Sequence, residues 1–154
     1  MAYKSFASGY LVKDGKVLLV HHKKFNKWTP PGGHMEENET PDQTVIREWK
    51  EELGMPVEVI SDSDPVFEGT EIDKPIPVPF YMDLEKEFFD SPRIGNYFFV
   101  RQTEAIGDIA LQLEEVLEAK WFNAAEIENL ETFDQVRALA KYALIHYPQI
   151  KKAP

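Results

Sequence analysis

The stretch GGHMEENETPDQTVIREWKEELGM, residues 32–55, sets Glu48, Glu51 and Glu52 close together, behind a Pro-Gly-Gly turn and a run that includes Glu36, Glu37 and Glu39. Carboxylates crowded at this density repel one another unless something offsets their charge. Hard divalent cations do so with oxygen ligands. The plainer alternative is a solvated helix surface, with Arg47 pairing with Glu51 at i,i+4. Two features favour the cation. The cluster is destabilising without one, and Glu51 and Glu52 fall in the last helical turn, where the helix dipole disfavours anions.

The element that must carry these groups is well punctuated. Thr40 is a good N-cap, Pro41 suits the first helical position and Gln43 stands three residues after the cap. Gly54 can turn left-handed after Leu53, and Pro56 forbids continuation. The spacing predicts a helix over 41–53. At ~100° per residue, Val45, Ile46, Trp49 and Leu53 share an apolar arc. Glu48, Glu51 and Glu52 fall on a separate arc beside it, with Arg47 and Lys50 on the outer side.

The order Gly33, five residues, Glu39, seven residues, Arg47-Glu48, one apolar and one free position, Glu51-Glu52, one free position, Gly54 and the apolar Met55 resembles the Nudix box of the Nudix hydrolases, with every fixed position present. Trp49 stands where that family usually has an aliphatic residue. The resemblance implies an α/β (α+β) fold, a Nudix-type α/β/α sandwich with a mixed β-sheet and a loop-helix-loop motif, in a single domain over 1–154. It implies hydrolysis of a phosphoanhydride in a nucleoside diphosphate linked to another group, by attack of water on phosphorus. Glu48, Glu51 and Glu52 are then the expected metal ligands, with the Gly33 carbonyl a further one. Mg2+ is the expected ion and Mn2+ a substitute. Glu39 is expected to hold Arg47 and support the loop, and Glu48 is a candidate general base.

The family often takes a further carboxylate from a loop before a later tryptophan-containing strand. Glu114, Glu115 and Glu118 precede Trp121, and Glu115 is the favoured candidate. His21 and His22 end a strand and make a basic patch with Lys23, Lys24 and Lys27, either toward phosphates or as a solvated strand end. His22, Lys23 and Trp28 are the candidate substrate contacts. Phe25, Tyr81, Tyr97 and Phe99 are open to two readings, base stacking or core packing.

Around the acidic helix the chain reads as strands and helices in one unit. A strand over 5–12 is expected to turn at Asp14-Gly15 into a second over 16–23, as a hairpin. Further strands are expected at 56–60, 78–84 and 94–100, with an acidic loop over 61–77. The segment 113–122 is ambiguous, its end entering a strand at 119–122. Asn123 with Glu126, and Thr132 with Gln135, each suggest a capped helix. The second helix should bury Val136, Leu139, Ala140, Ala143 and Leu144 and stop near Pro148, leaving KKAP frayed.

Composition excludes several classes. The 154 residues include no cysteine, so disulfides and thiolate chemistry are out, which fits a cytoplasmic protein. No apolar run is long enough to span a membrane, and the N-terminal stretch does not read as a signal peptide. A net charge of -10 argues against general nucleic-acid binding. The expected partner is a small nucleotide, and homodimers are common among proteins of the family it resembles. A non-catalytic nucleotide-sensing module is the alternative, although such modules usually lack box carboxylates that this chain keeps.

Overall fold

Leu11 is where the chain changes sheets. In the computed structural model, which describes residues 3–61, 67–86 and 92–148, strand β1 (Lys4–Tyr10) ends just before Leu11 and a two-residue strand β2 (Val12–Lys13) begins just after it. β2 turns through Asp14 and Gly15, both at positive φ, and pairs with β3 (Lys16–His22) in the expected antiparallel sense, Val12 opposite Val17. β1 does not take part in that hairpin. It runs parallel to β8 (Arg93–Gln102), Ser8 opposite Tyr97, and antiparallel to the short strand β5 (Gly32–His34), Ser8 opposite Gly32. The hairpin expected from the sequence is therefore confined to β2 and β3.

Two sheets result. The mixed one runs β5-β1-β8, with β6 (Val57–Ile60) and β7 (Tyr81–Glu85) both paired antiparallel to β8 along its far edge. The second is antiparallel. Its β3 sits between β9 (Val116–Phe122) on one side and, on the other, β2 followed along the same edge by β4 (Lys27–Thr29). The stretch between the hairpin and the acidic helix contains β4 and β5, and the ambiguous segment before Trp121 is a strand from Val116 onward. The KKAP terminus and positions 62–66 of the expected acidic loop lie outside the described residues.

Helix α1 (Pro41–Leu53) ends where its sequence says it should. Gln43 Oε1 accepts the Thr40 backbone N–H at 3.0 Å. Gly54 closes the other end at φ 63°, its N–H donating to the Lys50 carbonyl. The buried stripe is Thr44, Val45, Glu48, Trp49, Glu52 and Leu53, the i, i+4, i+8 rows of one face. Ile46, expected in the core, is 38% exposed. The inward side of α1 thus carries two carboxylates among its apolar residues.

Trp49, Val45 and Leu53 pack against Ala7, Phe98 and Val100 in one core cluster. A second cluster gathers Phe6, Tyr10, Tyr97 and Phe99 with Val17, Leu19 and the buried face of α3 (Asp134–His146). α1 covers the first cluster, and α3 together with Ile127 of a short helix covers the second, which makes the α/β/α layering. The short helix α2 (Ala124–Glu128) is capped by Asn123, whose Oδ1 accepts the Glu126 N–H at 2.9 Å. The second expected cap is displaced by one residue. Phe133 is the N-cap of α3, because the Thr132 hydroxyl donates to the Trp28 carbonyl at 2.5 Å instead.

Candidate active site

Arg47 organises the loop-helix junction. Its Nε donates to Glu39 Oε2 at 2.8 Å and its Nη2 to Glu39 Oε1 at 3.0 Å, a two-pronged charge-assisted pair. Nη1 reaches Glu48 Oε1 at 2.9 Å and Glu51 Oε2 at 3.2 Å, and Nη2 also holds the His34 carbonyl. Glu39 in turn accepts from the Thr44 hydroxyl at 2.6 Å and the Glu36 N–H at 3.1 Å. These bonds, Arg47 first, hold the Glu39 carboxyl down to about 2. The same Glu39 bond leads in pushing the Arg47 guanidinium upward. Glu39 is therefore an anchor for Arg47 and the 34–39 loop.

Beyond Arg47 lie the carboxylates that face inward. Glu48 and Glu52 are buried, and one oxygen each from Glu48, Glu52 and Glu115 lies within 4.8 Å of the others. Glu115 reaches them because its loop is sewn to the end of α1. Ala110 N–H donates to the Leu53 carbonyl and Gln112 N–H to that of Glu52, both at 3.0 Å, while the Glu115 carbonyl accepts from Lys23 at 2.8 Å. Of the three late glutamates, Glu118 pairs instead with Lys120 at 3.2 Å, and Glu114 lines the cavity.

Electrostatics at this cluster is unfavourable without a cation. Burial pushes Glu48 up to about 7, against the pull of Arg47. Burial, then the charges of Glu48 and Glu115, push Glu52 up to about 9, and its one compensating bond comes from the Gly32 N–H at 3.3 Å. Buried carboxyls held together at this cost have the oxygen donor set a hard divalent ion takes. Glu51 stands apart, half-exposed and tied to Arg47, and it is outside the three-carboxylate group. The sequence wheel placed it level with Glu48 and Glu52. The buried stripe instead follows i and i+4, which selects 48 and 52.

The cluster opens on a cavity of about 990 Å³ between the sheets. Gly33, Glu48 and Glu115 are on its wall, and so are His22, Lys23 and Lys24. Burial, then neighbouring Lys24 and Arg93, push the His22 imidazole downward, so its contribution there is as a neutral ring. Trp28, expected as a substrate contact, is not on the cavity wall. Its indole meets Phe122 edge-on at 4.9 Å and lies tilted against His21 at 5.2 Å. Of the other aromatic candidates, Phe25 and Tyr97 line the cavity, and Phe99 is stacked on Phe80 in the second core cluster.

One group of cavity residues escaped the sequence reading. Asp83, Glu85, Arg93 and Gln135 also line the wall. β7 is an edge strand that leaves Met82 56% and Leu84 42% exposed, while Asp83 and Glu85 face the cavity.

The family description NUDIX domain matches residues 6–142. The chain belongs to the Nudix family. It is 44% identical over 45 residues to a Nudix hydrolase of Bacillus subtilis (strain 168), a stretch covering 29% of this chain and 28% of that protein. It is 53% identical over 30 residues to an 8-oxo-dGTP diphosphatase of Proteus vulgaris, covering 20% of this chain and 27% of that one. The aligned stretches thus span about a third or less of these relatives' lengths. A NUDIX-family hydrolase from Clostridium perfringens superposes with a TM-score of 0.77 at 26% identity, covering 94% of this chain and 98% of its own. A MutT NUDIX hydrolase from Burkholderia pseudomallei, at 15% identity over 92% of this chain and 98% of its own, shares the fold with a TM-score of 0.67. No helix among the described residues is long and apolar enough to cross a membrane.

Proposed function

We propose that the chain is a divalent-metal-dependent pyrophosphohydrolase that cleaves a phosphoanhydride in a nucleoside diphosphate linked to another group. The substrate range we assign is a nucleoside triphosphate, a dinucleoside polyphosphate or a nucleotide sugar. The observation that carries this reading is the meeting of Glu48, Glu52 and Glu115, from two distant segments, at the rim of the cavity. The match over residues 6–142 supports reading residues 1–154 as one such domain.

These residues fit Mg2+, with Mn2+ as a substitute, because all three donors are carboxylate oxygens and two of them are raised out of their ordinary range by burial. When bound, the ion offsets phosphate charge and acidifies a water that attacks phosphorus. The chain's own groups do the rest. Glu48, Glu52 and Glu115 anchor the cation, and Arg47 holds Glu48 in place through Nη1. Glu39 fixes the Arg47 fork, and Glu51 shares its charge from the exposed side. Gly33 leaves room for Glu48 to lie against β5. His22 and Lys23, on the same wall, orient the phosphates. The short match to an enzyme that acts on 8-oxo-dGTP adds oxidised triphosphates to the panel worth testing.

The test is hydrolysis of such a panel with Mg2+, products resolved by chromatography. A nucleoside monophosphate plus the remainder is the expected pattern. Release of free nucleoside, or undiminished turnover after exhaustive chelation, would overturn the reading.

A further inference from the structure

The cavity does not end at the carboxylate cluster. It continues across the face of the mixed sheet from β5 over β1 and β8 to β7. Those three strand spacings amount to about 14 Å, the order of the reach from a nucleotide's phosphates to the edge of its base. At the far end a second polar constellation is built from β7, β8 and α3. Tyr97 Oη lies 3.2 and 3.4 Å from the two Asp83 oxygens and 3.0 Å from Glu85 Oε1. Gln135 Nε2 donates to Asp83 Oδ2 at 2.9 Å and to Tyr97 Oη at 2.5 Å. Arg93 Nε donates to Glu85 Oε2 at 3.0 Å, with its guanidinium 4.4 Å from the Phe6 ring.

Gly95 makes this meeting sterically possible. A Cβ there would come within 2.6 Å of both Asp83 Oδ1 and Tyr97 Oη and 2.7 Å of Phe6. Close by, Tyr10 Oη is fully buried and finds no hydrogen-bond partner among the described residues, and both carboxylates bear on it electrostatically. Phe6, Phe25 and Phe133 supply apolar wall around the polar groups, as a planar base needs.

Among the described residues, acceptors outnumber donors here. A tyrosine hydroxyl carries one proton, yet Tyr97 faces three carboxylate oxygens, of which Glu85 Oε1 is the nearest. With the Tyr97 proton directed to Glu85 and Gln135 taking one lone pair of Asp83 Oδ2, Asp83 on the cavity wall keeps Oδ1 and the second lone pair of Oδ2 for two further donors. A wall rich in carboxylate acceptors selects an edge that presents adjacent N–H donors. Adenine and cytosine each set one amine beside a ring acceptor. Uracil and thymine set one ring N–H between two carbonyls. Guanine alone sets N1–H beside its 2-amino group.

We propose that Asp83 is the specificity-determining residue of this site, accepting from the N1–H and 2-amino group of a guanine base, with Tyr97 and Gln135 as positioning residues. This rests on the nucleotide reading above and narrows it to guanine nucleotides. The phosphates then lie toward Glu48, Glu52 and Glu115, and the base lies over the sheet against the phenylalanine wall.

The test is equilibrium binding of GMP, IMP, AMP and UMP in the presence of Mg2+. These ligands have no phosphoanhydride, so recognition is read without turnover. GMP and IMP differ only by the 2-amino group. One charge-assisted hydrogen bond predicts that GMP binds about 10- to 100-fold tighter than IMP, and tighter still than AMP or UMP. Asp83→Asn should bring GMP to within about threefold of IMP, and Tyr97→Phe should narrow the same ratio, which a merely structural role would not move. The comparison of GMP with IMP on the unaltered protein stands even if a variant fails to fold. Equal affinity for GMP and IMP, no mononucleotide binding, or a preference that survives in folded Asp83→Asn would overturn the proposal. The two readings fail separately: a GMP preference without hydrolysis sinks the pyrophosphohydrolase, and hydrolysis without a GMP preference sinks the role of Asp83.

Discussion

Gly33 and Glu48 touch through a space that only a missing side chain leaves. A Cβ on Gly33 would sit 2.3 Å from Glu48 Oε1 and 2.5 Å from its carboxyl carbon. The atoms in conflict are the end of a flexible side chain, so the clash is relieved by moving the carboxylate and not the backbone. Gly33→Ala is therefore expected to leave the melting temperature nearly unchanged and to lower Mg2+-dependent turnover about 10²-fold, the cost of misplacing a catalytic group by about 1 Å. Steady-state kinetics beside a thermal melt checks it. Unchanged kinetics would detach Glu48 from the chemistry.

Glu51 and Glu52 should separate under the same substitution. Glu52→Gln removes a buried carboxyl that the metal-free fold keeps protonated up to about pH 9 and whose one bond among the described residues is to a backbone N–H, so the metal-free protein should become more stable at neutral pH while turnover falls by about 10³-fold or more. Glu51→Gln loses only a half-exposed partner of Arg47, and its turnover should fall by no more than about tenfold. Equal losses in the two variants would place Glu51 among the metal ligands.

Without metal, stability should decline as pH rises. Glu52 stands at about 9 and Glu48 at about 7 in the folded protein, both above the usual ~4.3 of an unfolded glutamate. Between the two values the unfolded chain has released protons that the native state keeps, so the unfolded state gains. The contribution is whole below about pH 4, falls as pH rises through about 7 to 9, and is flat beyond. Melting curves of chelated protein across that range should show the decline. Mg2+ should lift the alkaline end most, since the ion takes the place of the protons. Glu39, held at about 2, works in the opposite direction and removes stability as the solution is acidified from about pH 4 downward. A flat profile between about pH 4 and 9 would contradict the burial of Glu52.

Trp49 and Gly9 form a steric pair. A Cβ on Gly9 would lie 2.7 Å from Trp49 Nε1 and 2.8 Å from Val100 Cγ1, and Trp49 is wholly buried. Gly9→Ala should cost about 1–3 kcal/mol by overpacking, read as a lower urea midpoint at unchanged slope. Adding Trp49→Leu should recover part of that loss, because the smaller side chain vacates the contested space. Additive losses would show that the two positions are not coupled.

The sequence was most informative where structure is local. The ends of α1 could be read from Thr40, Pro41, Gln43 and Gly54 because capping and left-handed turns involve residues a few positions apart. Partnership between strands was not legible in the same way. Nothing in Lys4–Tyr10 says that it pairs with residues 93–99 and leaves the hairpin to Val12 and Lys13. Alternation marks which face of a strand is apolar but not which strand lies beside it, nor, at the edge strand β7, which face turns to the cavity. Glu115 could be singled out only through the family resemblance, since its approach to Glu48 depends on loop bonds to the end of α1. Ile46 and Glu51 show the limit of an ideal wheel, on which neighbouring positions differ by less than the width of the buried stripe.

The pairing of β3 with β9, which joins Val17 to Phe122, sets an order in time. A ribosome delivers α1, with Glu48 and Glu52 already in its sequence, well before the segment that carries Glu115. β1 then waits for β8, complete after about two-thirds of the chain has been made, and β3 for β9, complete after about four-fifths. Long-range pairing of this kind is slow to form and leaves strand edges exposed meanwhile. A pause in synthesis before residue 116 would hold a nascent chain with its acidic helix made and β3, which ends in His22, still without its β9 partner.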